Sequence, residues 1–437
     1  MPSSATIDSL VKRLQTAQSL ITSGKLSEAA DRLNALRKSA PEDARVYVLG
    51  SRLAEAAGNA PGAQQAARHA VKLAPYWPPA VTELAFLLAR QNQFDDAIEF
   101  ARKAIELDGS NPEVLGRVID VAHRARKLDL AVKWLGLAIS IAPDNAHLKH
   151  LLATDLRDMG EHDKAIAIYD ALIDQTPNDA IALVGRLQTR LAAGQSALAQ
   201  QDGEALLALE PTNETFKYWQ AQTRGETPGR QPLAIVRELY DGFADLYDQH
   251  VVAGLKYKLP REVARKIQAL YPGNKLNVLD LGAGTGLLGA CLGRIDGGMI
   301  GVELSPKMIE QAAKHGVYDR FHNVDLVEAL QETPESLYDV IASLDVFIYV
   351  GDLGGVIPNA HRILVPGGHL IFSCETASED ESDMVLRPSG RYAHKPSHVE
   401  ALCRAAGFAD ISVEAMALRM EAGKPIAGFL VTARKNA

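Results

Sequence analysis

The sequence predicts two domains of different class, an all-α helical solenoid followed by an α/β domain with a doubly wound sheet. Three observations carry that reading. Residues of the first half recur with a 34-residue period, short apolar runs alternate with helical runs in the second half, and a Pro/Gly-rich stretch, Gly225 to Pro232, lies between them. At 437 residues the chain has room for two or three domains of about 150 residues each.

The period is fixed by three independent positions. Gly24, Gly58, Gly160 and Gly194 share one grid, whose remaining points are Asn92 and Arg126. Ala29, Ala63, Ala97, Ala131, Ala165 and Ala199 share it without a gap. Pro41, Pro75, Pro143, Pro177 and Pro211 follow, with Gly109 in the remaining place. A glycine can turn one helix into the next, an alanine lets two helices approach, and a proline ends the pair. This Gly, Ala, Pro order resembles the tetratricopeptide repeat, and six repeats fit between about 10 and 213. Thr215 to Arg224 is expected to cap the array. The domains are therefore expected at 1–224 and 233–437, joined by a linker over 225–232.

In the second half, strands are expected at Leu276–Leu281, Met299–Glu303, Phe321–Val324, Val340–Ser343 and His369–Cys374, with helical runs such as Leu287–Leu292 and Pro306–His315 between them. Ile411–Ala417 and Ala427–Ala433, about a Gly423-Lys424-Pro425 turn, read as a terminal antiparallel hairpin. After the first strand come Gly282, Gly284 and Gly286, the pattern by which a strand–turn–helix brings backbone N–H groups close to a nucleotide-like ligand. A dinucleotide fingerprint would need a glycine at 287, which is Leu287, and Asp280 beside the turn suits a diphosphate badly.

Residues 278–289 resemble the first motif of class I S-adenosylmethionine-dependent methyltransferases, a Rossmann-like fold closed by a reversed last strand. The resemblance implies S-adenosyl-L-methionine as cofactor, held by Asp280, Gly282, Ala283, Gly284 and Gly286. Glu303, ending the second strand, would take the ribose hydroxyls, with Leu304 beside it. Asp325 and Leu326 would meet the adenine, although Asp325 equally suits a helix N-cap. Tyr240, Phe243 and Tyr247 share one face of a helix that resembles the family's lid, and Tyr247 is the candidate cofactor contact. Pro366-Gly367-Gly368 looks like the family's structural turn before the fifth strand.

Methyl transfer from a sulfonium needs alignment and water exclusion, and a base only where the nucleophile must lose a proton. Asp345, Tyr349 and Glu375 fall at strand ends, where such sheets bind ligands. His394, in Arg391-Tyr392-Ala393-His394, has the natural pKa for a base, and Arg391 and Tyr392 are candidate substrate contacts; the polar loop Glu379 to Asp383 before them reads as a substrate flap. Cys291, Cys374 and Cys403 are too scattered for a zinc site or a disulfide framework, and no metal-ligand cluster stands out.

The net charge of −8 is spread over both halves, 26 Lys/Arg against 28 Asp/Glu in 1–231 and 20 against 26 in 232–437, which disfavours nucleic acid as a partner. No run approaches a membrane span and Met1 to Asp8 lacks an apolar signal core, so a cytoplasmic protein is expected. The resulting expectation is a methyltransferase acting on an O, N or S nucleophile of a small-molecule or protein-bound acceptor, with the array gripping a protein or peptide. The alternative is an interaction scaffold whose methyltransferase domain binds cofactor without turnover.

Overall fold

The computed structural model describes all residues except 1–3, 245–246, 249–250, 252–254, 422–423 and 437, and, of residues 4–8 and 243, the backbone alone. The lid-face side chain of Phe243 and the hairpin-turn residue Gly423 thus lie outside the described residues. Packing divides the chain into two compact units, Met1–Asp202 and Gly203–Ala437.

The first unit is built of paired helices. After Ser4–Thr22, first helices begin at Ala44, Pro78, Pro112, Ala146 and Ala180, and second helices at Leu26, Ala60, Phe94, Leu128, His162 and Ser196, each series stepping by the sequence period. The six periodic alanines are all fully buried, as a close helix crossing requires. Gly24, Gly58, Gly160 and Gly194 sit at φ between +73° and +80°. Asn92 (φ +56°) and Arg126 (φ +53°) adopt the same left-handed turn without glycine, so the two departures from pattern keep the turn and carry its strain instead. A fourth periodic position emerges at helix starts. The side chains of Asp43, Asn111, Asn145 and Asp179 accept from backbone N–H groups of the first turn, each two residues after the Pro/Gly position.

The second unit begins inside the helix Ser196–Leu209 and includes Glu214–Thr223, the expected cap. Tyr218 of that helix is buried, with its hydroxyl beside the side chains of Gln231 and Tyr392, so the cap and the linker pack as part of the second unit.

Among the described residues nine strands form one sheet: β1 Val278–Leu281, β2 Met299–Val302, β3 Arg320–His322, β4 Tyr338–Ser343, β5 Leu364–Thr376, β6 Met384–Leu386, β7 Tyr392–His394, β8 Phe408–Glu421 and β9 Lys424–Lys435. The order β3-β2-β1-β4-β5 is parallel throughout. β9 then runs antiparallel to β5, from His369 opposite Arg434 to Glu375 opposite Gly428, and β8 runs antiparallel to β9. This is the expected reversed closure. The Pro366-Gly367-Gly368 turn lies within β5, where the pairing with β4 shifts register between Tyr338 and Val340. The sheet is covered on both faces, as parallel sheets are. Leu279, Leu281, Ile341 and Phe372 enter one apolar cluster, while Val278, Val340, Ala342 and Ile371 enter the other. The polar loop Glu379 to Asp383 has no regular structure and leads into a small hairpin, β6–β7, whose Ala393 and His394 pair with Glu375 and Thr376 at the end of β5.

Candidate cofactor and active site

The apolar residues of β1 bury all four of its positions and end at a turn that side chains would obstruct. Gly282 has φ +71°, and a Cβ there would collide with Val346. Gly284 has φ +55°, and its Cβ direction is open. Gly282 and Ala283 both donate their N–H to Val302 O, at 2.8 and 3.0 Å, which ties the turn to β2. Gly286, at φ +80°, caps the helix Leu287–Leu292, where a Cβ would press on Ala312 at 3.0 Å and Tyr318 at 3.1 Å. It serves helix packing and is not among the residues lining either cleft described below.

Glu303 leaves β2 with its carboxylate pinned by two backbone donors, Gly284 N at 2.8 Å on Oε2 and Ser305 N at 2.8 Å on Oε1. Burial pushes its pKa up, and the two N–H groups oppose that shift. Asn323 Nδ2 donates to the carbonyls of Glu303 and Leu304, at 2.9 and 2.8 Å, fixing the corner.

Gly282, Gly284, Glu303, Leu304, Asp325 and Leu326 line one cleft, together with Asp345, Tyr349, Tyr240 and Tyr247; its empty space, partly open to solvent, is about 700 Å³. A smaller cleft of about 340 Å³ shares Gly282, Gly284 and Tyr247 and adds Asp280 and Ala283. Asp280 is buried, and Tyr318 donates its hydroxyl to Oδ2 at 2.6 Å. Burial raises the Asp280 pKa to about 7 against that bond, and the nearby Glu303 charge adds to the rise.

Asp325 is the N-cap of the helix Leu326–Glu332, accepting from Val327 N at 3.2 Å. Its carboxylate also takes a forked pair of bonds from Arg230, at 3.2 and 2.8 Å. Arg230 lies in the stretch that the sequence marks only as a linker.

At the other end of the larger cleft, Asp345 has φ +60° and donates its N–H to Ser373 Oγ at 2.8 Å. Arg419 of β8 reaches Asp345 Oδ1 at 2.5 Å and also binds the Glu375 carboxylate. Arg419, at 4% exposure, is a buried cation between two carboxylates. Burial raises the Asp345 pKa, and the Arg419 charge opposes it. Glu375 is thus committed to Arg419 and stands outside the residues that line the cleft. The Tyr240 hydroxyl donates to the Tyr349 hydroxyl at 3.0 Å, with the rings edge to face at 5.7 Å, and the Tyr247 ring lies 5.9 Å from Tyr240. Burial pushes all three phenols up, so they are neutral donors at ordinary pH.

Three expected contacts do not line the cleft. His394 is 1% exposed in β7, with Nε2 donating to Gly351 O at 2.8 Å, and it does not line the cleft. Burial lowers its pKa and keeps it neutral, so it braces Gly351 rather than serving as an accessible base. Tyr392 is fully buried and donates to Pro228 O at 2.7 Å. Arg391 pairs with Glu421 at 2.7 Å.

Comparison with known proteins agrees with both halves. A model described as "Methyltransferase domain" matches residues 255–413, and one described as "Tetratricopeptide repeat" matches 14–78, 82–146 and 150–222. Similar curated proteins include a ubiquinone biosynthesis O-methyltransferase of Paracidovorax citrulli, 28% identical over 32% of this chain and 66% of that protein. A demethylmenaquinone methyltransferase of Tropheryma whipplei is 30% identical over 32% of this chain and 59% of its own. Human methyltransferase-like protein 27 is 33% identical over 35% and 62%. The chain thus spans less than two thirds of each of these relatives. Among solved structures, the magnesium protoporphyrin IX methyltransferase of Synechocystis with bound S-adenosylhomocysteine is 19% identical over 47% of this chain and 99% of that one, at a TM-score of 0.35. A tetratricopeptide protein, YrrB, with "an unusual peptide-binding site" is 16% identical over 44% and 97%, at a TM-score of 0.38. No described helix is long and apolar enough to cross a membrane.

Proposed function

We propose that this chain, a tetratricopeptide-repeat array fused to an S-adenosylmethionine-dependent methyltransferase domain, moves a methyl group onto an O, N or S nucleophile of a small-molecule or protein-bound acceptor, with the array recruiting a protein or peptide. S-adenosyl-L-methionine is the cofactor of this fold. The observation that carries the reading is the Glu303 carboxylate, held by Gly284 N and Ser305 N at the open side of the glycine turn. The two oxygens offer about four acceptor directions, which leaves room for a ribose hydroxyl beside the backbone donors. A Cβ at Gly284 would project into open space, which fits a ligand lying against that backbone.

In this reading Asp280 and Ala283 face the aminoacyl end, and Leu304, Asp325 and Leu326 the base. The bound cofactor supplies an electrophilic methyl on a cationic sulfur, with a neutral leaving group. Asp345 and Tyr349 stand at the acceptor side. Arg419 holds Asp345 Oδ1, leaving Oδ2 to orient the acceptor or take its proton. Tyr240, Tyr247 and Tyr349 form an aromatic wall that excludes water and favours positive charge.

Titration of S-adenosylhomocysteine into the full chain and its Glu303→Ala variant tests the cofactor placement, since unchanged affinity in a folded variant would remove it. Radiolabelled S-adenosylmethionine with lysate, split into macromolecular and small-molecule fractions, tests transfer. Label in neither fraction would sink the transferase reading in favour of a scaffold.

A further inference from the structure

Residues 228–231 look like a tether in the sequence, yet the structure bonds them along their length. Gly229 O accepts from Gly351 N at 2.9 Å and Asp352 N at 2.8 Å, Gln231 N donates to Tyr349 O at 3.0 Å, and Arg230 bridges Val350 in antiparallel fashion. Pro228 O accepts from Tyr392, and the Gln231 side-chain amide donates to Gly390 O. The platform beneath is equally determined. Gly351 admits no side chain, because a Cβ would meet the Tyr392 ring at 2.6 Å, and its carbonyl is held by His394. The β6–β7 hairpin is therefore a buttress for this segment.

The segment's other side faces the larger cleft, which Arg230, Gln231 and Leu233 help to line. Asp325 grips the Arg230 guanidinium by its edge through two bonds, and Asp325 is itself fixed as a helix cap. A planar, weakly hydrated cation pinned by its edge leaves its flat face for a heteroaromatic ring, which an ammonium could not offer.

We infer that residues 228–231 form a strap belonging to the cofactor site, in which Arg230 packs on the cofactor's base and retains it. This rests on the proposed placement of the cofactor between Glu303 and Asp325. The strap makes the peptide that leaves the repeats one wall of the catalytic site.

The test uses the full chain and S-adenosylhomocysteine, with Arg230→Ala, Arg230→Lys and Glu303→Ala compared by calorimetry and by melting temperature without ligand. Arg230→Ala should weaken binding about tenfold, the size of one base-stacking contact, mainly through faster release, and Arg230→Lys should recover only part of it. Hydrogen exchange gives a second readout: ligand should slow exchange in peptides covering Gln231, Gly351 and Asp352. If Glu303→Ala weakens binding while Arg230→Ala stays within twofold of the parent, or if ligand leaves the strap amides unprotected, the strap inference is overturned. If Glu303→Ala leaves binding unchanged, the placement beneath it fails instead. Should Arg230→Ala lower the melting temperature without ligand, the Arg230→Lys comparison and the exchange readout decide the matter.

Discussion

Arg419 and Asp345 meet guanidinium to carboxylate at 2.5 Å in the interior of the second unit, although 74 residues separate them along the chain. Glu375 shares the same guanidinium. A buried cation with two anions is held by geometry, and the partners depend on it more than it adds to stability. Arg419→Ala would leave two carboxylates buried without their counter-charge. It should cost about 3–5 kcal/mol in urea unfolding, the range for breaking one side of a buried pair. Adding Asp345→Asn and Glu375→Gln to Arg419→Ala, which removes the stranded charges, should recover much of that loss.

Asp280 predicts a pH dependence with a definite sign. Its pKa rises to about 7 in the folded protein from an ordinary 3.8. The native state therefore keeps a proton that the unfolded chain releases, and this group erodes stability as pH rises from about 4 through 7, with no further change above. Asp280→Asn should raise the melting temperature at pH 8 and leave it unchanged near pH 4. In the proposed placement the carboxylate form faces the cofactor's ammonium. Affinity for S-adenosylhomocysteine should then climb between pH 6 and 7.5 in the parent and stay flat in Asp280→Asn.

The glycine turn separates a stability position from a binding position. Gly282→Ala drives a Cβ into Val346 and should unfold the domain substantially, whereas Gly284→Ala meets no protein atom. At φ +55° the latter costs about 1–2 kcal/mol of backbone strain. Melting curves should rank Gly284→Ala as the milder change, and calorimetry should nonetheless find its ligand binding impaired.

Arg126 occupies a left-handed turn position that glycine fills in four other repeats. Arg126→Gly should relieve strain and stabilise the array by about 0.5–1 kcal/mol, after allowing for the greater freedom of glycine in the unfolded chain. A lower melting temperature for this variant would show that the Arg126 side chain contributes more than its backbone costs.

The array was legible because its constraint is local and repeated. Ala29 and its five equivalents must be small wherever two helices cross, so the same residue recurs at the same interval. The cap position was legible too and went unread: Asp43, Asn111, Asn145, Asp179 and Asn213 share the period, with Trp77 as the exception. The glycine turn and Glu303 could be read because a strand end fixes where they point. Arg419 could not, since its partners come from β5 and from the loop after β4, and a lone arginine in a strand carries no local mark. His394 was singled out for its solution pKa, but its enclosure in β7 lowers that pKa and points the ring at a backbone carbonyl. Arg230 was hidden because Pro and Gly on either side indicate irregular backbone and say nothing about whether that backbone is held.

In the proposed function, the bonds along residues 228–231 would connect the helix that closes the repeat series to the cofactor site. Tyr218, in the helix that closes the repeat series, lies beside the Gln231 side chain, and Gln231 N is bonded to Tyr349 O. A ligand whose binding favours one packing of Tyr218 would change how long the cofactor stays, and the cofactor would change that ligand's affinity by the same factor. In that reading cofactor dwell time would become a quantity that docking tunes, and product release a step that senses whether cargo is present.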